Sequence, residues 1–291
     1  MIDAHHHIWL QKDLPWLLGP EQTRIFGSYQ GIKRDYLIDE YLKDIKKSGI
    51  EKSVYVQANW APNWYEDEVS WVQDVADETG WPHAIVGYAD FTKDDVRSQL
   101  NRLRKYPLMR GLRQQFHWHQ NPAYRFAKHP DFCILPQVQK NIAVLADYGW
   151  SFDLQLFPNQ FSSGVKLAQA CPNVTFVLQH AGMLEDRSNA GERAWLDGMK
   201  ALADCPNVVT KLSAFGTFIH KNDPEFIGEM IKKTVKIFDA DRCLFGSNFP
   251  IEKLWTTYGR LVKAFEAGTS KLSKTNQDAI FKTTAERVYQ I

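Results

Sequence analysis

Short apolar runs alternate with longer amphipathic stretches along the whole chain. Eight of the runs read as strands: 2–8 (IDAHHHI), 53–58 (SVYVQA), 84–90 (AIVGYAD), 109–116 (MRGLRQQF), 151–157 (SFDLQLF), 174–181 (VTFVLQHA), 208–215 (VVTKLSAF) and 243–250 (CLFGSNFP). They are rich in β-branched and aromatic residues and too short for helices. Between them, apolar positions recur at helical spacing. Asp39–Ser48 carries Tyr41, Leu42 and Ile45 on one stripe and stops at Gly49, and Glu66–Thr79 carries Val69, Val72, Val75 and Ala76 and stops at Gly80. Glycine just past the last periodic residue supplies a left-handed terminal position at little steric cost. Thr92 is expected to cap a helix bearing Val96, Leu100 and Leu103. CPNVTF at 171–176 and CPNVVT at 205–210 form a weak internal repeat, each read as a helix-to-strand turn.

Strand–helix alternation repeated eight times predicts a parallel sheet with right-handed crossovers. In a chain of this length it predicts an α/β fold of the closed (β/α)8 TIM-barrel kind. No G-x-G-x-x-G or P-loop follows any strand, which removes the usual reasons for an open sheet. No linker rich in Gly, Ser or Pro interrupts the pattern, so one domain is expected over 1–291, with a C-terminal helical tail near 272–290.

Composition narrows the classes. A chain 44% hydrophobic and 24% charged is neither disordered, nor collagen-like, nor a coiled coil. Its 35 Lys+Arg against 34 Asp+Glu leave a net charge of +1, without the basic footprint that nucleic-acid binding needs. The longest apolar runs fall far short of the ~20 residues of a membrane helix. Cys133, Cys171, Cys205 and Cys243 form no C-x-x-C pair and each precedes or enters a core element. Reduced, buried thiols of a cytoplasmic protein are expected. MIDAHHHIW has neither a basic n-region nor an apolar h-region, so no signal peptide is expected. His5-His6-His7 lies inside an apolar run and reads as native strand rather than a tag. The near-neutral charge permits a homo-oligomer without requiring one.

Strand alternation then sorts the polar residues. In the first run Asp3, His5 and His7 share one face, opposite Ile2, Ala4, His6 and Ile8. Asp153 and Gln155 share a face of the fifth, and Gly246 and Asn248 a face of the eighth. Gln57, Asp90, Arg113 and His180 end the second, third, fourth and sixth, and Lys211 and Ser213 the seventh. Such residues are costly to bury unless paired, and in a barrel they would ring the mouth where sites form. Bland readings stand beside this one. His5 and His7 could be satisfied core histidines, Arg113 an ion-pair partner of Asp153 or Asp90, and Lys211–Asp153 a structural pair. The loops add aromatics and arginines: Trp9, Trp16, Arg24, Arg34 and Tyr36 after the first strand, Trp118, His119, Tyr124 and Arg125 after the fourth, and Arg187 after the sixth. Aromatic walls with arginines suit a small ring-shaped substrate bearing a carboxylate, unless they merely close the mouth. His117-x-His119 reads as loop packing or substrate contact, and His83, His129 and His220 as surface or turn residues.

IDAHHHIW resembles the D-x-H-x-H opening of the amidohydrolase-2 family, and SFDLQLF, VLQHAGM, VVTKLSAFG, LFGSNFP and TTAERVY are similar to later segments of that family, in the same order. The branch resembled includes L-fuconolactonase, sulfomuconolactonase and pyrone-dicarboxylate lactonase. The resemblance implies a TIM-barrel hydrolase acting on lactones of sugar acids or ring-cleavage products. It also implies that His5, His7, His180 and position 248 line the site. At 248 the chain departs, with Asn248 where the family usually has an Asp that acts as general base. An amide cannot take a proton from water. The candidates to replace it are His180 first, then Asp153, then Glu252. Asn248 could still orient water or donate its amide to a carbonyl oxygen. His5, His7 and His180 could hold a divalent metal, zinc being favoured by nitrogen ligands, although the family has metal-using and metal-free members and the missing acid weakens the set.

Three functions are thus expected in order. The first is a lactonase-like hydrolase of carboxylic ester bonds. In it His5 and His7 polarise the carbonyl, His180 activates water, Asn248 orients it, Arg113 holds a substrate carboxylate or hydroxyl, and Gln57, Asp153, Lys211, Arg187 and Trp118 contact the substrate. The second is a metal-dependent decarboxylase, and the third a binding barrel without catalysis.

Overall fold

The computed structural model describes residues 1–291, and each of the eight runs contributes a strand: β1 (Ile2–His6), β2 (Lys52–Val56), β3 (Ala84–Gly87), β4 (Met109–Leu112), β5 (Ser151–Leu154), β6 (Phe176–Leu178), β7 (Val208–Leu212) and β8 (Cys243–Phe245). They pair in parallel in sequence order. Beyond β8 the Asn248 amide donates to His5 O (2.7 Å) and the His7 amide to Phe249 O (2.8 Å), which closes the sheet on itself. This is a (β/α)8 barrel. Every strand stops short of its apolar run because its last residues leave the ladder and climb into the mouth. Several do so through left-handed backbone: His180 (φ 57°), Ala181 (φ 46°), Ala214 (φ 55°) and Asn248 (φ 57°). Such conformations are uncommon outside Gly and concentrate where a fold must aim side chains.

The interior alternates as a barrel requires. Ile2, Ala4, Val54, Val56, Ala84, Val86, Val177, Val209 and Leu244 form one buried inner cluster, while Tyr55, Ile85, Leu112, Phe152, Phe176, Leu212 and Phe245 pack outward under the helices. Each fully buried Leu or Phe contributes about 1.5–3 kcal/mol. In β1 the alternation expected from the sequence breaks. The register with β2 shifts between Asp3 and His6, so Ala4 and His5 both serve the interior, whereas Asp3 points outside the barrel. There its carboxylate, fully buried, accepts from the Ser247 amide (2.7 Å), Ser247 Oγ (2.6 Å), Tyr41 OH (3.0 Å) and Tyr258 OH (2.9 Å). A bulge adds one residue to the strand and re-aims the side chains beyond it. Asp3 is therefore a buckle between β1 and the end of β8, and His6 stacks on Tyr41 with ring centroids 3.9 Å apart.

The amphipathic stretches are helices Ile38–Asp44, Tyr65–Thr79, Arg97–Leu103, Pro136–Ala143, Phe161–Ala170, Asn189–Ala203, Pro224–Phe238 and Tyr258–Thr269. Gly80 ends the second at φ 78°, in the role its position suggested. Thr92 does not cap the third; its amide and hydroxyl both donate to Asp90 Oδ1 and close a local turn instead. The two CPNV segments make the same turn, with Val174 donating to Cys171 O and Val208 to Cys205 O, each at 3.1 Å. All four cysteines are free and buried. The tail folds as Lys274–Asp278, Ala279–Thr283 and Thr284–Tyr289, and Tyr289 enters the barrel from the end opposite the mouth. No helix is long and apolar enough to cross a membrane.

Candidate functional site

The floor of the site is an ion pair. Lys211 Nζ lies 2.6 Å from Asp153 Oδ2, and neither side chain has any exposed surface. Gln179 Nε2 (3.0 Å) and Tyr289 OH (3.1 Å) also donate to Asp153, and Lys211 Nζ sits 5.3 Å from the centre of the Tyr289 ring. Burial pulls the Lys211 ammonium below its ordinary value while Asp153 opposes the fall. The carboxylate is thus fully engaged, and the charges of the pair offset each other beneath the cavity.

Above it three imidazoles meet. The His5 ring centroid is 5.0 Å from that of His7 and 4.9 Å from that of His180. Gly246 makes room for this, since a Cβ there would lie 2.7 Å from His5 Cβ. His7 Nδ1 lies 2.6 Å from Val56 O. A carbonyl only accepts, so Nδ1 carries the proton and Nε2 keeps its lone pair. His180 Nδ1 lies 2.8 Å from Ser213 Oγ, leaving its Nε2 for the cavity. Burial, reinforced by Lys211 at His5 and by Arg113 at His7 and His180, drives all three well below the ordinary imidazole range, so each is neutral near pH 7. Arg113 donates to Gln57 O, tying the ends of β4 and β2, and burial lowers it to about 10, so it stays charged.

His7, His180, Arg113 and Asn248 open onto a cavity whose empty space, counted to its solvent mouth, is about 830 Å³. Its walls are Trp9, Trp16, Phe26, Tyr124, Phe126 and Phe218, and no Asp or Glu lines it. Arg24 does, half-buried, its guanidinium 5.8 Å from the Trp16 ring centre and 5.7 Å from that of Phe126, with Nε buried and unpartnered. His117 also lines the cavity, lowered to about 3 by burial and then by Arg113 and Arg24.

The remaining expected residues lie elsewhere. His5, Asp153 and Lys211 are beneath the cavity rather than in its wall. Gln57 ties strand ends through Asn59 (2.7 Å) and Arg113 and faces a neighbouring groove. Trp118 packs outside the cavity, under the Arg125 guanidinium at 4.9 Å, with its amide held by Gln160. Arg187 is exposed and rests against Phe226, because the loop after β6 turns outward before its helix begins at Asn189. Of the His117-x-His119 pair, His117 is the member that lines the cavity, whereas Phe26, Phe126 and Phe218 are walls that the sequence did not single out. Their only signal was membership of long loops following strands.

The expected metal set is not completed by these residues. No three His, Cys, Asp or Glu side chains present donors to one point. The imidazoles stand beside two buried cations, Arg113 and Lys211, position 248 offers an amide, and Asp153 is consumed by Lys211. The like charge of Arg113, which no carboxylate pairs, opposes a divalent ion here.

Comparison with known proteins finds relatives along the full chain. The uncharacterized protein y4mH of Sinorhizobium fredii is 35% identical over 293 residues, covering 100% of this chain and 98% of its own. An L-fucono-1,5-lactonase of Burkholderia ambifaria is 26% identical over 261 residues, covering 89% and 83%. The crystal structure of an amidohydrolase from Burkholderia multivorans with bound zinc superposes with a TM-score of 0.84 at 24% identity, covering 100% and 99%. The amidohydrolase profile matches residues 2–291, and on that span the chain belongs to the Amidohydrolase family.

Proposed function

We propose that the protein hydrolyses a carboxylic ester bond, in a lactone ring, of a small substrate that also carries a carboxylate. The observation carrying this is the cavity itself: two neutral imidazoles, a guanidinium and an amide converge on an aromatic-walled space without a single acidic side chain. The lactonase relative supports the reaction class. A water held between His7 Nε2 and His180 Nε2 attacks the carbonyl carbon and gives its proton to His180. The ring C–O bond then breaks, and the departing alkoxide takes that proton back, as microscopic reversibility requires of one acid–base group. Arg113 and the Asn248 amide face the carbonyl oxygen, where negative charge develops.

No step in this scheme requires a metal, and the Arg113 guanidinium near the imidazoles supplies positive charge at the site. Activity is expected to survive prolonged chelation followed by dialysis. Loss that zinc restores would instead assign His5, His7 and His180 as ligands and reopen the decarboxylase reading.

Arg24 is the substrate-carboxylate partner in this scheme, since it is the lining cation without a hydrogen-bonded partner of its own. A hydrogen bond to a charged group is worth about 1.5–3 kcal/mol, so Arg24→Gln is expected to raise KM for carboxylated lactones tenfold or more. KM for neutral lactones should stay within about threefold. An equal change for both classes would remove Arg24 from recognition. Screening lactones with and without a carboxylate tests the reaction itself.

A further inference from the structure

The chain that leaves β8 makes one helical turn as it enters the next element: the Glu252 amide donates to Asn248 O at 3.2 Å and the Thr256 amide to Glu252 O at 3.1 Å. Residues four apart on such a turn share a side. The Glu252 side chain is accordingly set against that of Asn248, just behind the cavity wall. It is 1% exposed. Oε2 accepts from Trp255 Nε1 at 2.7 Å and lies against the Gly216 backbone, where any Cβ would collide with it. Oε1 is buried without a partner, and so is the Thr217 hydroxyl. Asn248 and Thr217 both stand beside the carboxyl and both line the cavity.

A buried carboxyl with a free oxygen beside an amide has two ways to satisfy it. As an acid, Oε1–H donates to Asn248 Oδ1, which turns the amide N–H groups to the cavity. As a carboxylate, Oε1 accepts from Asn248 Nδ2, which turns the amide oxygen there. We propose that Glu252 is a positioning residue that decides which end of the Asn248 amide meets the substrate, and that the acid form, presenting N–H to the carbonyl oxygen, is the active one. This rests on the ester-hydrolysis reading.

Burial, only partly offset by Trp255, Asn248, Thr217 and the Gly216 amide, raises the carboxyl to about 8. The other titratable groups nearby are directed elsewhere. Lys253 turns away to Glu40 and Asp44, and His220 lies beyond Trp255 at 6.0 Å between ring centres. Asp3 and Tyr258 are occupied with each other and with Ser247 outside the barrel. Glu68, raised to about 7 by burial, is bonded to Tyr55 and the Ala58 amide at the end of β2, two strands round the barrel from β8.

The test is a kcat/KM profile from about pH 6 to 9.5, run on the wild type, Glu252→Gln and Glu68→Gln, with infrared difference spectra over the same range. The wild type should lose rate with a midpoint near pH 8. Glu252→Gln should lose that alkaline limb, while Glu68→Gln should keep it. The infrared band of a protonated carboxylic acid should disappear with the same midpoint, be absent in Glu252→Gln and shift in frequency in Asn248→Ala. An alkaline limb unchanged in Glu252→Gln, or a carboxyl already ionised at pH 6, overturns the proposal. The spectra read the Glu252–Asn248 pair even if no lactone is hydrolysed, so failure of the reaction and failure of this inference are distinguishable.

Discussion

His180→Ala is expected to lower kcat by about 10²–10⁴, the range contributed by a positioned acid–base group, while the thermal unfolding midpoint stays close to that of the wild type. The asymmetry follows from where the imidazole sits. Nδ1 meets a single hydroxyl, Ser213 Oγ, and Nε2 faces empty space in the cavity, so removing the ring takes away the proton acceptor and little packing. The pH dependence carries the same signature. Burial, then Arg113 and Lys211, hold the His180 imidazolium well below 6.5. The lone pair is therefore free throughout the neutral range, and the acid limb that reports its protonation should lie below pH 6.5. Near-wild-type turnover in the variant would shift the proton to His7, whose Nε2 lone pair is fixed by Val56 O. Initial rates on a hydrolysed lactone decide between them.

Lys211→Met carries the largest expected stability loss. It leaves the Asp153 carboxylate fully buried with only Gln179 and Tyr289 as donors. Breaking one side of a buried pair costs about 3–5 kcal/mol, whereas replacing both partners by apolar groups of similar volume is often neutral or better. The double variant Lys211→Met with Asp153→Leu is thus expected to regain most of the loss. Chemical denaturation of the two variants measures both. A single-variant cost below about 1 kcal/mol would show that the pair is not what supports the floor.

The fold was legible because its signal is periodic and repeated. Eight apolar runs cannot be buried on both faces except in a parallel sheet under helices, and the two CPNV turns end alike because Pro stops a helix the same way twice. The inward polar residues were legible from alternation wherever the strand is regular, as at Asp153 and Lys211. Alternation failed at Asp3, because a bulge is a property of two strands and leaves no trace in one. It could not say whether Lys211 and Asp153 work on substrate or on each other, since that depends on depth along the barrel axis. Trp118 and Arg187 sat in the correct loops but turned away, and Phe126 and Phe218 turned in. Loop side chains are aimed by packing between segments distant in sequence, and composition does not encode that direction.

Tyr289 reaches the underside of the ion pair at the same time that residues 246–249 seal the seam beside His5. During synthesis, then, the histidines of β1 must wait for residues up to 289 to emerge from the ribosome before their surroundings exist. Until residue 289 is out, Asp153 lacks the Tyr289 donor that approaches it from below. A nascent chain stalled between residues 252 and 288 carries every residue of the cavity but not the Tyr289 hydroxyl beneath its floor.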